Sequence, residues 1–396
     1  MPKITAVRPV QVNRILYVSI ETDDGLYGVG ESGAWAYQEA AAEVVKSFAD
    51  YLVGQDPRRI EHHWQFMYRA YHFRGAVIMG ALSAIDIALW DLAGKRLGVP
   101  VYELLGGAAR ERVRVYKHVA GATVDELVDD CKKAQDEGYT AVGHLSPFLD
   151  IDRGERLKTS NAQYISGAVS VLKTLRAEVG DGLDLCVELH RRLSISESVT
   201  FGRAVAKVMP MFIEDPVRPD NLDSMAHVAS SVPVPVATGE RLHTPEEFQM
   251  LLSRYPLAYT RISVCLAGGI TGAMKIAAIA ESVGSKVVPH NPLSPVSTSA
   301  CLQVSSAVAN LGIMELPDHS VASATERYTA SNQSERQEFD QTAMLSPIPE
   351  AVDGHVSVPA GPGIGIDLDF EKARRTRATR VETLSRLGAD GAVVDQ

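Results

Sequence analysis

Cysteine is scarce in this 396-residue chain: Cys131, Cys186, Cys265 and Cys301 stand far apart, with no metal-type pairing. That spacing indicates neither a thiolate metal site nor a disulfide framework, and reduced thiols fit a cytoplasmic protein. Positive charge is also in deficit. With 39 Lys and Arg against 49 Asp and Glu, the net charge is −10, which argues against a nucleic-acid or anionic-membrane surface. An anionic small molecule is not excluded, because a bound cation reverses the local field. No apolar run is read as approaching a membrane span, and Met-Pro-Lys-Ile-Thr-Ala-Val-Arg lacks the pattern of a signal peptide. What remains is an ordinary soluble composition, 45% hydrophobic and 22% charged, in a chain long enough for one large α/β domain and a smaller one.

Three glutamates stand out. Leu-Cys-Val-Glu188-Leu-His190, Met-Phe-Ile-Glu214-Asp-Pro and Val-Ala-Thr-Gly-Glu240-Arg each close a short apolar run, at intervals of 26 residues. One interval is about a strand plus a crossover helix, so successive parallel strands deliver the three acids to one end of a sheet. Converging carboxylates repel unless a cation neutralises them. An oxygen-only set suits a hard divalent ion, Mg²⁺.

The first hundred residues have a different rhythm. Val18–Thr22 and Leu26–Val29, joined by Asp-Asp-Gly, read as a hairpin, followed by helices at about 36–52, 58–71 and 76–97. From 113 the chain alternates. Strands are expected at 113–119, 140–145, 183–188, 211–214, 234–238, 258–264, 286–289 and 312–316. Helices are expected at 123–137, 161–179, 195–208, 221–231, 244–254, 270–283 and 296–310. Eight strands separated by helices fit a β/α barrel better than an open sheet. The tail carries a hairpin-like stretch at 356–366 and a charged helix at 370–387, and 318–344 reads as an excursion from the last barrel loop.

Active sites of such barrels lie at the C-terminal ends of the strands. Three more polar residues fall there: His190, two positions after Glu188 and so on the same side; His290, 50 residues after Glu240; and Glu315, 25 residues further. With a cation among the acids, a chelated carboxylate substrate has its α-proton acidified. One histidine can take that proton, and a second can protonate a departing β-hydroxyl. That is the anatomy of a dehydration.

These residues resemble the enolase superfamily, specifically its mandelate-racemase-like branch and the galactonate and mannonate dehydratase kind within it. The resemblance runs through Ile20-Glu-Thr-Asp-Asp-Gly-Leu-Tyr-Gly-Val-Gly-Glu31, Ala84-Ile-Asp-Ile-Ala-Leu-Trp-Asp-Leu-Ala-Gly-Lys95 and Pro100-Val-Tyr-Glu-Leu-Leu-Gly-Gly107. It continues in Ile213-Glu-Asp-Pro216, Gly239-Glu-Arg241, Ala267-Gly-Gly-Ile-Thr271 and Pro289-His-Asn-Pro-Leu293. It implies a (β/α)7β barrel at 113–345, capped by an α+β domain at 1–112 to which the segment 346–396 returns. By the same resemblance Glu188, Glu214 and Glu240 hold Mg²⁺, His290 is the base, His190 the acid, and Glu315 an electrophilic or orienting group. Cap loops at Arg14–Tyr17 and Tyr71–Arg74 close over an acid-sugar, with His72 and Arg74 as contacts, and a homo-oligomer is implied. Arg191, beside His190, is a further substrate-contact candidate.

The pattern departs from the family in three places. Glu188 stands where Asp is common, Gly143-His144-Leu145 where a Lys-x-Lys base is common, and Ser263 where an Asp partners the histidine of the next strand. A histidine without that carboxylate has a lower pKa and a looser orientation. The leading expectation is a sugar-acid (aldonate or aldarate) dehydratase. An epimerase or cycloisomerase using the same first step, or a metal-binding homologue without dehydratase activity, are the alternatives.

Other features read as structural. Gly28-Val-Gly-Glu-Ser-Gly33 matches a dinucleotide fingerprint, but the preceding Asp-Asp-Gly signals a hairpin rather than a βαβ unit, so no nucleotide cofactor is expected. His62 and His63 read as exposed, Trp90 as core, and Lys372–Arg380 as a solvated helix face.

Overall fold

The computed structural model describes residues 1–149, 160–255, 257–318, 343–380 and 385–394. The expected excursion at 318–344 lies, apart from its ends, outside the described residues.

The N-terminal unit is an antiparallel meander of β1 (Ile4–Val12), β2 (Ile15–Thr22) and β3 (Tyr27–Ser32), covered by α1 (Gln38–Leu52), α2 (Ile60–Arg69) and α3 (Ala76–Leu97). β1 is an addition to the expected elements. Pro9 interrupts its run and its burial does not alternate strictly, so it lacks a clean strand signature. Of the Gly28–Gly33 stretch, residues 28–32 lie in the antiparallel strand β3 and Gly33 follows it, and its glycines serve packing. A Cβ on Gly28 would lie 2.0 Å from the Ala88 carbonyl oxygen, and one on Gly30 2.0 Å from that of Ala84. Helix and strand backbones touch there, which only glycine permits. α3 is therefore apolar nearly all round. It is the one helix among the described residues long and apolar enough to cross a membrane, contrary to the sequence reading, yet it is mostly buried as the central helix of this unit. His63 is likewise buried, not exposed: Nε2 bonds the Asp56 carbonyl oxygen at 2.8 Å and Nδ1 lies 3.0 Å from the Tyr51 hydroxyl.

After the single turn α4 (Val101–Leu104), eight parallel strands follow: β4 (Arg112–His118), β5 (Ala141–Leu145), β6 (Asp184–Glu188), β7 (Phe212–Glu214), β8 (Val236–Thr238), β9 (Tyr259–Ser263), β10 (Lys286–His290) and β11 (Met314–Leu316). They pair in chain order from β4 to β10, and β11 returns to β4. A parallel bridge between Val287 and Leu311, with the Gly312 N–H donating to the Val287 carbonyl at 2.8 Å, closes the ring. The crossover helices are α5 (Val124–Asp136), α6 (Asn161–Val179), α7 (Ile195–Ala204), α8 (Leu222–Ser231), α9 (Pro245–Arg254), α10 (Gly269–Ser282) and α11 (Pro295–Ala307). Thr123, Ser160, Ser194 and Thr244 open four of them with reciprocal capping boxes. Tyr116, Ala141, Cys186, Phe212, Ala237, Val288 and Ile313 fill the interior below the site.

Two buried carboxylates lock the cap onto barrel helices. Glu31 accepts bonds from the Ser294 hydroxyl and from the Ser294 and Ser297 N–H groups at the start of α11. Asp86 accepts the Thr271 N–H at 3.0 Å near the start of α10. Helix N-termini present free N–H groups and a favourable dipole, so they suit such anions. Trp90, expected in the core, donates across the same junction to Thr271 Oγ1 at 2.9 Å.

Tail residues bond to α3 of the N-terminal unit: Asp91 accepts the Ile364 N–H at 2.9 Å, and Lys95 pairs with Asp367 at 2.7 Å. The tail's expected elements are corrected, however. Val356 lies in β12 (His355–Ser357), which pairs antiparallel with β4 rather than folding into its own hairpin. The helix expected at 370–387 stops at Arg375, as α12 (Phe370–Arg375), because Asn13 captures the Arg377 carbonyl and the Thr379 N–H in extended conformation. Arg386–Leu387 forms a small ladder with Val393–Val394.

Candidate active site

Parallel pairing sets the register of the acids. Glu188 is directly opposite Glu214 at the ends of β6 and β7, and Glu214 is paired with Ala237 on β8, three residues before Glu240. The chain turns sharply just beyond these ends. His190, Arg191 and Asp215 have positive φ, and Gly239 has φ +132 with its Cα packed against the Arg261 carbonyl. Left-handed backbone at non-glycine residues costs on the order of 1–3 kcal/mol each and concentrates at functional sites.

The acids fall into two groups by partner, those held by Arg261 and one held by imidazoles. Arg261, buried in the barrel, donates from Nε to Glu214 Oε1 at 2.7 Å, from Nη2 to Glu315 Oε2 at 2.8 Å and from Nη1 to the Tyr116 hydroxyl at 3.0 Å. The same Nη2 lies 3.8 Å from Glu240 Oε2. Glu188 instead faces two imidazoles: His144 Nδ1 at 2.7 Å and His190 Nε2 at 3.7 Å. Glu240 meets His290 Nε2 at 3.3 Å and Arg241 Nη2 at 3.2 Å. Glu315 also takes His118 Nε2 at 2.8 Å and the Asn291 N–H at 2.8 Å, so both its oxygens are engaged.

Negative charge is concentrated at the strand ends. Glu188, Glu214, Asp215, Glu240 and Glu315 are all buried or nearly so, and the guanidinium groups facing them belong to Arg261 and Arg241. Burial raises Glu214 to about 8, Arg261 offsetting part of this while Glu188 adds to it. Asp215 is likewise raised to about 8 by burial and by Glu240. Glu240 is pushed well above the carboxylate range by burial and by Glu214 and Glu188, and it shares a hydrogen bond with Glu214. Two acids close enough to share a proton form a place for a cation. For Glu188 burial acts upward, but the histidines pull further and hold it low. Glu315 is held well below its ordinary value by Arg261 and His118 despite burial. Among the described residues no three His, Cys, Asp or Glu side chains form a closed ligand set: Glu214 and Glu240 turn towards Arg261, Glu188 towards His144. The donor chemistry and the excess negative charge nevertheless fit a hard divalent ion.

The two expected acid–base histidines converge on this cluster. Burial lowers each to about 4, partly offset by Glu188 for His190 and by Glu315 for His290. Arginine only donates, so Arg241 Nη2 at 3.2 Å from His190 Nε2 places the proton of the neutral ring on Nδ1. His290 pairs in register with Ser263, and its buried Nδ1 has no hydrogen-bond partner among the described residues.

The expected substrate-contact residues are less tightly gathered. Tyr17 is fully enclosed, its hydroxyl near Ser294 and Glu31, because it lies on β2 and points into the cap–barrel seam. Arg14 stacks over Trp35 and Arg74 over Tyr68, while His72 is exposed and Arg191 follows His190 in its turn. The residues that sequence reasoning missed are Arg261, His118, Tyr116 and Arg241, together with the contact of His144 to Glu188. A charged residue inside the apolar run Thr260-Arg-Ile-Ser, and a histidine closing the first barrel strand, were the available signals.

A β/α barrel with acids and histidines at its strand ends, capped by an α+β unit, defines a class of enzyme. Residues 126–373 match the family described as Enolase C-terminal domain-like, and residues 1–106 match the Mandelate racemase / muconate lactonizing enzyme N-terminal domain. The chain belongs to the enolase superfamily, in that branch. It is 34% identical over 364 residues to the D-galactonate dehydratase of Ralstonia nicotianae, covering 90% of this chain and 89% of the relative. With the D-galactonate dehydratase of Variovorax paradoxus it shares 35% identity over 315 residues, 79% of this chain and 81% of the relative. Among solved structures, an enolase from Agrobacterium radiobacter with sodium and L-malate bound superposes with TM-score 0.90 at 28% identity over the full length of both chains. One from Pantoea ananatis with bound D-gluconate and Mg gives 0.87 at 26%, again over both whole chains. The chain falls among the dehydratases of the superfamily, which are hydro-lyases.

Proposed function

We propose that this protein is a Mg²⁺-dependent dehydratase of aldonic or aldaric acids. The observation that carries the reading is the placement of Glu188, Glu214 and Glu240 at the rims of three consecutive strands, with His190 and His290 each within 4 Å of one of them. When bound, the cation supplies positive charge that acidifies the C–H beside a coordinated carboxylate. Glu188, Glu214 and Glu240 would hold it. His290 Nδ1, buried and without a protein partner among the described residues, is the atom suited to take the α-proton. His190, as the imidazolium, would deliver a proton from Nδ1 to the departing β-hydroxyl, which leaves as water; an anionic substrate beside the ring favours that charged form. The remaining enol tautomerises to a 2-keto-3-deoxy acid. Glu315 acts as an orienting anion rather than an electrophile, since a carboxylate held ionised accepts and does not donate. Arg14, His72, Arg74 and Arg191 would meet the distal hydroxyls as the cap closes, and the four buried free thiols suit the cytoplasm.

The test is incubation of the purified protein with Mg²⁺ and a panel of aldonic and aldaric acids, following 2-keto-3-deoxy products by NMR. One active acid in the panel supports the reading; no ketone from any of them overturns it.

A further inference from the structure

The second and third strands of the barrel, β5 and β6, differ from a plain ladder in one respect. Between β5 and β6 the pairs are Val142–Leu185 and Leu145–Val187, so Gly143 and His144 together oppose the single residue Cys186. One extra residue on one strand is a β-bulge, a device that re-aims a side chain. His144 adopts φ +51 within it. Simple alternation from Ala141, which faces the interior, would point His144 outward; the bulge turns it inward instead. Gly143 is required by the same arrangement, since a Cβ there would lie 2.3 Å from the Tyr116 ring. Tyr116 fills the space a side chain at 143 would take, and its hydroxyl accepts from Arg261.

The result is a short bridge across the barrel mouth. His144 Nδ1 is 2.7 Å from Glu188 Oε2, and its ring stacks at 5.0 Å on His118, whose Nε2 reaches Glu315. Arg261 pairs with Glu214, Glu240 and Glu315, whereas Glu188 is held by imidazoles.

We propose that His144 is a positioning residue for metal binding: its Nδ1–H fixes the Glu188 carboxylate so that the other lone pairs face the cation held with Glu214 and Glu240. The inference rests on the metal reading above. Glu188 has one more methylene, and so one more rotatable bond, than an aspartate at the same place, and the His144 bond restrains that freedom. Partners that orient a ligand in this way typically set affinity by 10–100-fold.

The experiment is Mn²⁺ binding, read from loss of the free-ion EPR signal, with Mg²⁺ measured by competition, on the whole chain without substrate. His144→Ala is expected to weaken Mn²⁺ about 10–100-fold while leaving the metal-free melting temperature close to that of the unmodified protein. His144→Asn, whose amide N–H sits near the position of Nδ1, is expected to restore affinity to within a few-fold. His144→Gln, which carries its amide one bond further out, is not. Equal affinity in the unmodified protein and His144→Ala overturns the role of His144 and leaves the metal reading intact. Equal rescue by Asn and Gln overturns it too, and does so even if the alanine variant fails to fold. No binding by the unmodified protein overturns both.

Discussion

Arg261 Nη2 and Glu315 Oε2 lie 2.8 Å apart in the closed interior of the barrel, and the same guanidinium holds Glu214 at 2.7 Å. Both pairs are nearly inaccessible to water. Removing one partner of such a group strands the other charges in low dielectric, at a cost of about 3–5 kcal/mol. Arg261→Met is therefore expected to destabilise the metal-free protein by that order in urea unfolding. A loss within 1 kcal/mol would show that the buried network contributes little.

Asp86 gives the fold a pH dependence separate from the active site. Burial raises its carboxyl from 3.8 to about 7, the Thr271 bonds only partly opposing this. A folded value above the unfolded one contributes stability that is fully present below about pH 3.8 and is lost as pH rises through about 7. The difference amounts to on the order of 4 kcal/mol across the window. Melting temperatures of the wild type and Asp86→Asn, taken from pH 5 to 8, should converge or cross as pH rises. Parallel curves would remove the assignment.

Gly30 tests the reading of the glycine-rich strand. A methyl group there would lie 2.0 Å from the Ala84 carbonyl oxygen. Gly30→Ala must push α3 off β3, and overpacking of this kind costs about 1–3 kcal/mol or more. Thermal melting measures it. An unchanged melting temperature would mean that the strand and helix do not touch as described.

Ser263→Asp places a carboxylate beside His290, whose Nδ1 otherwise has no partner among the described residues. An adjacent anion favours the imidazolium, so the low-pH limb of kcat/KM should move upward, by on the order of one pH unit. A profile that stays in place would show that His290 does not control the limb.

Much of this arrangement could be read from sequence because it repeats. The 26-residue interval between Glu188, Glu214 and Glu240 is the length of one strand–helix unit, and parallel pairing turns that interval into adjacency. His190 and His290 were legible for the same reason. His144 was not, because alternation assigns it to the outer face and a bulge reverses that. Arg261 was hidden inside the strand run at 258–264, where only Ser263 was singled out. The end of α12 at Arg375 was invisible as well: what stops it is a bond to Asn13, more than three hundred residues away in sequence. Glu31, Asp86 and Asp91 lie in segments that carry the family resemblance, and their role emerges only in three dimensions, as bonds joining cap, barrel and tail.

The proposed reaction is a cation-assisted loss of water from a sugar acid. Its most direct measurement is the rate of 2-keto-3-deoxy acid formation by chelator-stripped protein, using the most active acid of the panel, before and after Mg²⁺ is returned. The rate should fall to background when stripped and recover on adding Mg²⁺, with Glu240→Gln recovering little. Turnover that persists undiminished through chelation would contradict it.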